Sequence, residues 1–228
     1  MARLALWDID HTLIDTGGVG RELSAAAFHE VTGLTMERQA KVDGITEAVI
    51  FRETARLHGL TTDRGTFERF ARALIEQHLK RAGDLRERGH ALAGAATALD
   101  ALARDTTLTQ SVVTGNVRQV AEIKLQVFGL DRHIHWEVGA YGEEHDERAD
   151  LVALALERTG VPAADTVLIG DTPADVAAGN EQGVRVLAVA SGSSDEAQLR
   201  QAGADIVLPS LENSPLLVEL VQGRDVEA

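Results

Sequence analysis

The chain has 228 residues, 44% apolar and 25% charged, so it is long enough to bury a core without cross-links and has a globular rather than a disordered composition. With 22 basic against 36 acidic residues its formal net charge is −14, which argues against unspecific binding to nucleic acid or anionic membranes but leaves room for a phosphorylated small molecule in a locally positive pocket. There is no cysteine, so disulfides, thiolate metal sites and cysteine nucleophiles are excluded together.

The length suggests one or two domains. Asp8 and Asp10 interrupt the N-terminal apolar stretch too early for a secretion signal, and no segment approaches the ~18 apolar residues of a membrane span. A cytoplasmic setting is expected. Leu4–Trp7 is a short apolar run ending in acids and reads as a buried strand. From about Gly18 to Gly94 the spacing turns helical, over Glu22–Thr32, Thr46–His58 and Arg64–Ala82. Leu57, Leu60, Phe67, Phe70, Leu74 and Leu79 are expected to share an interior there. Alternation follows. Strands are predicted at Leu108–Val113, weakly at His135–Val138, then at Thr166–Ile169, Val184–Val189 and Ile206–Leu208. Helices are predicted at Ala95–Arg104, Val117–Phe128, Asp150–Thr159, Ala174–Gln182 and Asp195–Gln201. This pattern predicts an α/β protein: a Rossmann-like, three-layer core around a parallel sheet, with an inserted all-helical cap. Right-handed crossovers place every strand's C-terminal end on one edge, where such folds gather ligands.

Three strand ends carry polar clusters. They are Asp8-Ile9-Asp10-His11-Thr12, Ser111-Val112-Val113-Thr114-Gly115-Asn116, and Gly170-Asp171-Thr172-Pro173-Ala174-Asp175. Residues two apart at a strand end point the same way, so Asp8 and Asp10 can share a site. Each cluster alone has an ordinary reading: an Asp pair after a strand, a Thr-Gly turn, a helix N-cap with a first-turn acid. Together, on one sheet edge, they read as a site. Converging carboxylates repel unless one is protonated or a cation binds, and hard oxygen donors without Cys favour Mg²⁺.

These clusters resemble the motifs of the haloacid dehalogenase superfamily in its phosphatase branch, and most of all the phosphoglycolate-phosphatase-like group, whose helical cap follows the first motif. The similarity spans Leu4 to about Leu211. It implies a core of residues 1–16 and 92–228 and a cap of 17–91. It implies a Mg²⁺-dependent phosphatase acting on a small phosphorylated metabolite, as a monomer or homodimer. Asp8 would attack phosphorus and Asp10 would serve as acid and base. Thr114, Gly115 and Asn116 would hold phosphoryl oxygens, and Gly44 corresponds to a cap loop that meets substrate. Asp8 and Asp171 would ligate Mg²⁺ by their carboxylates and Asp10 by its backbone carbonyl, with Asp175 supporting them. Two positions depart from the family pattern. His11 stands where the family usually has Gly, and either lines the site mouth or only adds bulk. The usual Lys before the last motif is replaced by Arg148. Lys124 is the rival for that role, otherwise a solvated helix lysine. From the cap, Arg21, Lys41, Asp43, Thr46, Glu47 and Arg52 are candidates for facing the site. A sugar phosphomutase of the same fold and a phosphate-sensing module without turnover are the alternatives.

Overall fold

The computed structural model describes residues 3–223. Eight strands and ten α-helices occur among them. β1 (Arg3–Trp7) lies centrally, paired in parallel with β4 (Leu108–Thr114) on one side and β6 (Thr166–Gly170) on the other. β5 (Ala140–Tyr141) extends the sheet beyond β4, and β7 (Arg185–Val189) and β8 (Ile206–Leu208) extend it beyond β6. The order β5-β4-β1-β6-β7-β8 is a parallel, six-stranded Rossmann-like sheet.

The two-residue period of β1 divides its side chains between two helical layers. Ala5 and Trp7 join a core with α5 (Ala95–Leu102), α6 (Arg118–Val127) and α10 (Ser214–Val221). Leu4 and Leu6 join the opposite core with α7 (Arg148–Thr159) and α8 (Pro173–Glu181). Near the sheet's β8 edge, α9 (Glu196–Gln201) covers β7 through Leu199. Both faces of β1 and β6 are therefore dry, which explains their continuous apolar runs.

The cap leaves and re-enters through an antiparallel ribbon, β2 (Ile14–Asp15) against β3 (His90–Ala91). Between them run α1 (Val19–Thr32), α2 (Glu47–Leu57), α3 (Arg64–Lys80) and α4 (Ala82–Arg88). Phe28, Phe51 and Phe70 are fully buried in this bundle, and the Phe51 and Phe70 rings stack at 4.4 Å. Burying each ring contributes about 2 kcal/mol. Val120 of α6 and Val117, which caps its N-terminus, belong to the same cluster, so the cap rests on the core through apolar contact.

Beside the site the two halves meet through backbone. Glu47 N–H donates to Gly115 O at 2.8 Å, and a Cβ on Gly115 would lie 2.3 Å from Ile45 O. Gly44, with φ of 69°, packs where a Cβ would fall 2.4 Å from the Ala174 methyl. Only glycine accepts both the left-handed angle and that approach.

Several sequence expectations change. His135–Val138 forms no strand: Trp136–Val138 is a 3₁₀ turn, and pairing begins at Ala140. His135 donates its N–H to Gln110 O and accepts from Ser111 Oγ through its carbonyl, so both its backbone groups are already engaged. Leu57 and Leu79, expected inside, are 37% and 61% exposed, while Phe67, Phe70 and Leu74 are buried. Leu79 follows the buried His78 directly and falls off the buried stripe of α3.

Candidate active site

The C-terminal ends of β1, β4 and β6 border one cleft of about 320 Å³, closed above by the cap. That volume suits a small metabolite. Asp8, Asp10, Thr114, Gly115, Asn116, Arg148 and Asp171 line it from the core, and Arg21, Asp43, Gly44, Glu47 and His78 from the cap. Of the other cap candidates, Lys41 lines a separate depression beside α8. Thr46 is buried and donates to Asp146 O, and Arg52 pairs with Asp146 at 2.9 Å, so both tie cap to core.

Asp8 follows β1 directly, and its N–H donates to Ile169 O at 2.8 Å, which fixes its position against β6. Arg148 reaches it from the first turn of α7: Nη2 donates to Asp8 Oδ1 at 2.5 Å. The same guanidinium forms an ion pair with Asp175 through Nε at 2.6 Å and donates from Nη2 to Val113 O. Asp175 is fully buried. Its Oδ2 accepts from the Thr172 N–H and hydroxyl, closing a capping box at the start of α8. Thr12 Oγ donates to Asp171 Oδ1 at 2.9 Å.

Asp10 lies in a second network. Lys124 Nζ is 2.8 Å from both its carboxylate oxygens, and Asn116 Nδ2 donates to Oδ2 at 2.7 Å. Lys124 also donates to Asn116 Oδ1, and Asn116 Nδ2 donates to Thr114 Oγ. Lys124 is therefore not a solvated helix lysine: it is 6% exposed and faces the cleft. Both cationic candidates are present, each assigned to a different carboxylate.

The two networks set opposite proton affinities. Burial raises the pKa of Asp8; Arg148 lowers it, but the nearby Asp175 and Asp10 charges add to the rise. Asp171 is raised more strongly, by burial and by the Asp8 and Asp175 charges. Asp10 is lowered, because Lys124 and Asn116 outweigh its burial. Burial also lifts Glu47 to about 7.

That last shift has a thermodynamic consequence. An acid whose pKa is higher folded than unfolded loses stability as pH rises between the two values. Glu47→Gln is expected to stabilise the protein by about 1–2 kcal/mol at pH 8 and by nothing measurable at pH 4.5, allowing for its partial exposure. Urea denaturation at the two pH values measures this, and equal effects at both would contradict it.

Asp8, Asp171 and Asp175 each offer an oxygen within 4.8 Å of the others, all buried. Three carboxylates share one Arg148 charge, and no donor reaches Asp171 Oδ2 among the described residues. This hard, electron-rich donor set fits Mg²⁺. Asp175 has both oxygens engaged by Arg148 and Thr172, leaving Asp8 and Asp171 as the freer pair.

His11 adopts φ of 63°, the described non-glycine residue with a left-handed backbone, and Ser191 Oγ donates to its carbonyl at 2.6 Å. Its side chain is half exposed at the cleft. His78 is, with Ser24 and Gln39, among the polar cleft residues that sequence reasoning missed. Its signal was the phase of α3: it continues the buried steps Phe67, Phe70, Ala71 and Leu74.

A doubly wound sheet with an acid cluster at its switch point and a helical cap above it defines a core-and-cap α/β protein whose ligand site lies at the strand ends. Residues 5–189 match the haloacid dehalogenase-like hydrolase family, and the chain belongs to it. It is thereby a haloacid dehalogenase-like hydrolase. A protein of Caldanaerobacter subterraneus subsp. tengcongensis named "Putative pyrophosphatase PpaX" is 29% identical over 191 residues, 81% of this chain and 80% of that protein. A hydrolase from Pseudomonas syringae superposes with a TM-score of 0.69 at 20% identity, covering 97% of this chain and 99% of its own. A structure described as a predicted phosphatase from Clostridium acetobutylicum gives a TM-score of 0.68 at 17% identity, covering 96% and 99%.

Proposed function

We propose that the chain is a Mg²⁺-dependent phosphatase that hydrolyses a small phosphorylated metabolite through an aspartyl-phosphate on Asp8. The observation that carries this reading is the pair of carboxylates on one cleft wall in opposite settings, Asp8 with Arg148 and Asp10 with Lys124 and Asn116. Arg148 and a bound Mg²⁺ would favour the ionised form of Asp8 that a nucleophile requires, against the rise that burial causes. Asp8 and Asp171, with the Asp10 backbone carbonyl, would hold Mg²⁺, which neutralises charge on the phosphate and the nucleophile when bound.

An Asp8 oxygen forms a bond to phosphorus as the bond from phosphorus to the leaving alcohol oxygen breaks. Asp10 supplies the proton to that oxygen. The incoming phosphate dianion raises the proton affinity of Asp10 against the pull of Lys124. The ionised Asp10 then takes a proton from water, whose oxygen attacks phosphorus and frees phosphate and Asp8. The Thr114 hydroxyl and the Gly115 N–H donate to the transferring phosphoryl oxygens. Asn116 holds Asp10 and Thr114 in register. Arg148 keeps Asp8 aimed, and Asp175 anchors Arg148. Residues 17–91 act as the cap, and the cysteine-free composition fits a cytoplasmic setting.

The test is p-nitrophenyl phosphate hydrolysis with Mg²⁺ and with EDTA. Phosphate release is expected with Mg²⁺ and falls by about 100-fold or more without it, because metal neutralisation supplies several kcal/mol. Equal rates under both conditions would remove the metal from the mechanism.

A further inference from the structure

Lys124 brings a positive charge to the cleft but has nothing left to give a ligand. It is buried on α6, and its ammonium donates to Asp10 Oδ1 and Oδ2, each at 2.8 Å, and to Asn116 Oδ1 at 2.7 Å. These contacts use every N–H it has. An ammonium only donates, so the amide oxygen of Asn116 must face it. Asn116 Nδ2 then points the other way and donates to Asp10 Oδ2 at 2.7 Å and to Thr114 Oγ at 2.8 Å. The flipped amide would set Nδ2 against Nζ and Oδ1 against the Asp10 carboxylate, so the network admits one orientation. Thr114 Oγ accepts again, from the Asn116 backbone N–H at 3.2 Å. With both lone pairs engaged, a hydroxyl has only its proton left to place. No acceptor takes that proton among the described residues, and Thr114 borders the cleft.

The direction of each hydrogen bond in this chain starts from Lys124, and the chain ends on a proton free for an anion in the cleft. We propose that Lys124 is a positioning residue: through Asn116 it fixes Thr114 as a donor to the transferring phosphoryl group, and it holds the Asp10 carboxylate beside that group. This rests on the phosphatase reading of the same cleft. Arg148 and Lys124 then serve different ends, Arg148 holding Asp8 and Lys124 ordering the residues around the phosphate. A lysine that bound phosphate itself would have to give up Asp10 or Asn116, and an acceptor left unpaired costs free energy. A lysine acting as a distant charge would need no amide between it and Thr114.

The experiment is a double-variant cycle of Lys124→Met and Thr114→Val, read as kcat/KM for p-nitrophenyl phosphate with Mg²⁺. Lys124→Met is expected to lower kcat/KM about 30-fold in the wild-type background but only about threefold in the Thr114→Val background, a coupling of about tenfold. The cycle cancels what the lysine charge does at a distance, because that part is common to both backgrounds. Where the Thr114→Val variants turn over too slowly to measure, the dissociation constant of inorganic phosphate with Mg²⁺, from thermal stabilisation, replaces kcat/KM under the same criterion. Asp10 is partly exposed, so water can take over its carboxylate in Lys124→Met, and urea denaturation checks that each variant folds. Should Lys124→Met not fold, Lys124→Gln stands in for it, because an amide has fewer N–H donors than the network uses. Equal losses in the two backgrounds, or a Lys124→Met within about twofold of wild type, overturn the positioning role while p-nitrophenyl phosphate turnover preserves the phosphatase reading. No turnover of p-nitrophenyl phosphate by the wild type overturns both.

Discussion

Asp8→Asn is expected to lower kcat for p-nitrophenyl phosphate by about 10⁴-fold or more, while the protein stays folded. An amide nitrogen or oxygen at this position is no nucleophile toward phosphorus, and no other carboxylate occupies the same place. Asp10 is drawn toward Lys124 and Asn116, and Asp175 has both oxygens engaged. The fold tolerates the change because burial already disfavours the charged form of Asp8 and the neighbouring Asp175 and Asp10 add to that, as its raised pKa shows. Steady-state kinetics give the loss, and rapid quench with radiolabelled substrate tests for a covalent phosphoprotein in the wild type but not in the variant. A variant within tenfold of wild-type rate would remove Asp8 from the chemistry.

Arg148→Met carries the largest expected effect on stability. The guanidinium is 7% exposed and is the cation paired with both Asp8 and Asp175. Removing it strands two buried carboxylates, at a cost of about 3–5 kcal/mol. For a chain of this size that lowers Tm by roughly 6–20 °C. The deficit shrinks as pH falls from 8 towards 5, because protonation discharges the stranded acids. Mg²⁺ is expected to recover part of it, since it occupies the same acid cluster. Arg148→Lys restores a charge without the two-pronged reach and should fall between wild type and Arg148→Met. Thermal denaturation across pH, with and without Mg²⁺, measures all of this. A loss under 1 kcal/mol for Arg148→Met would mean that the pair contributes little.

The parts of the molecule legible in the sequence were those with a strong local signature. Leu4–Trp7 and Thr166–Ile169 are apolar runs because both faces of β1 and β6 are covered. The polar clusters that end β1, β4 and β6 mark where those strands reach the sheet edge. What stayed hidden depends on contacts between distant segments. Lys124 looks like any amphipathic-helix lysine, since the Asp10 that buries it lies 114 residues away. The helix α4 has one buried side chain, Leu85, amid charges, which leaves no period to read. The helix α10 is eight residues and mostly apolar, too short and too uniform to separate from a strand. In the cap, Glu47 was nameable as a candidate, but its desolvation arises only when α2 closes over Lys124 and Asp10.

The carbonyl of Gly115 has a double attachment. It sits on the loop that follows β4, beside Thr114, and it receives the Glu47 amide from the other half of the molecule. Any separation of the halves must release that amide to solvent, whereas the amides inside α2 keep their helical partners. Deuterium uptake at this single peptide group therefore clocks how often the cleft gapes, and a bound ligand that holds it shut will slow that clock in proportion to its occupancy.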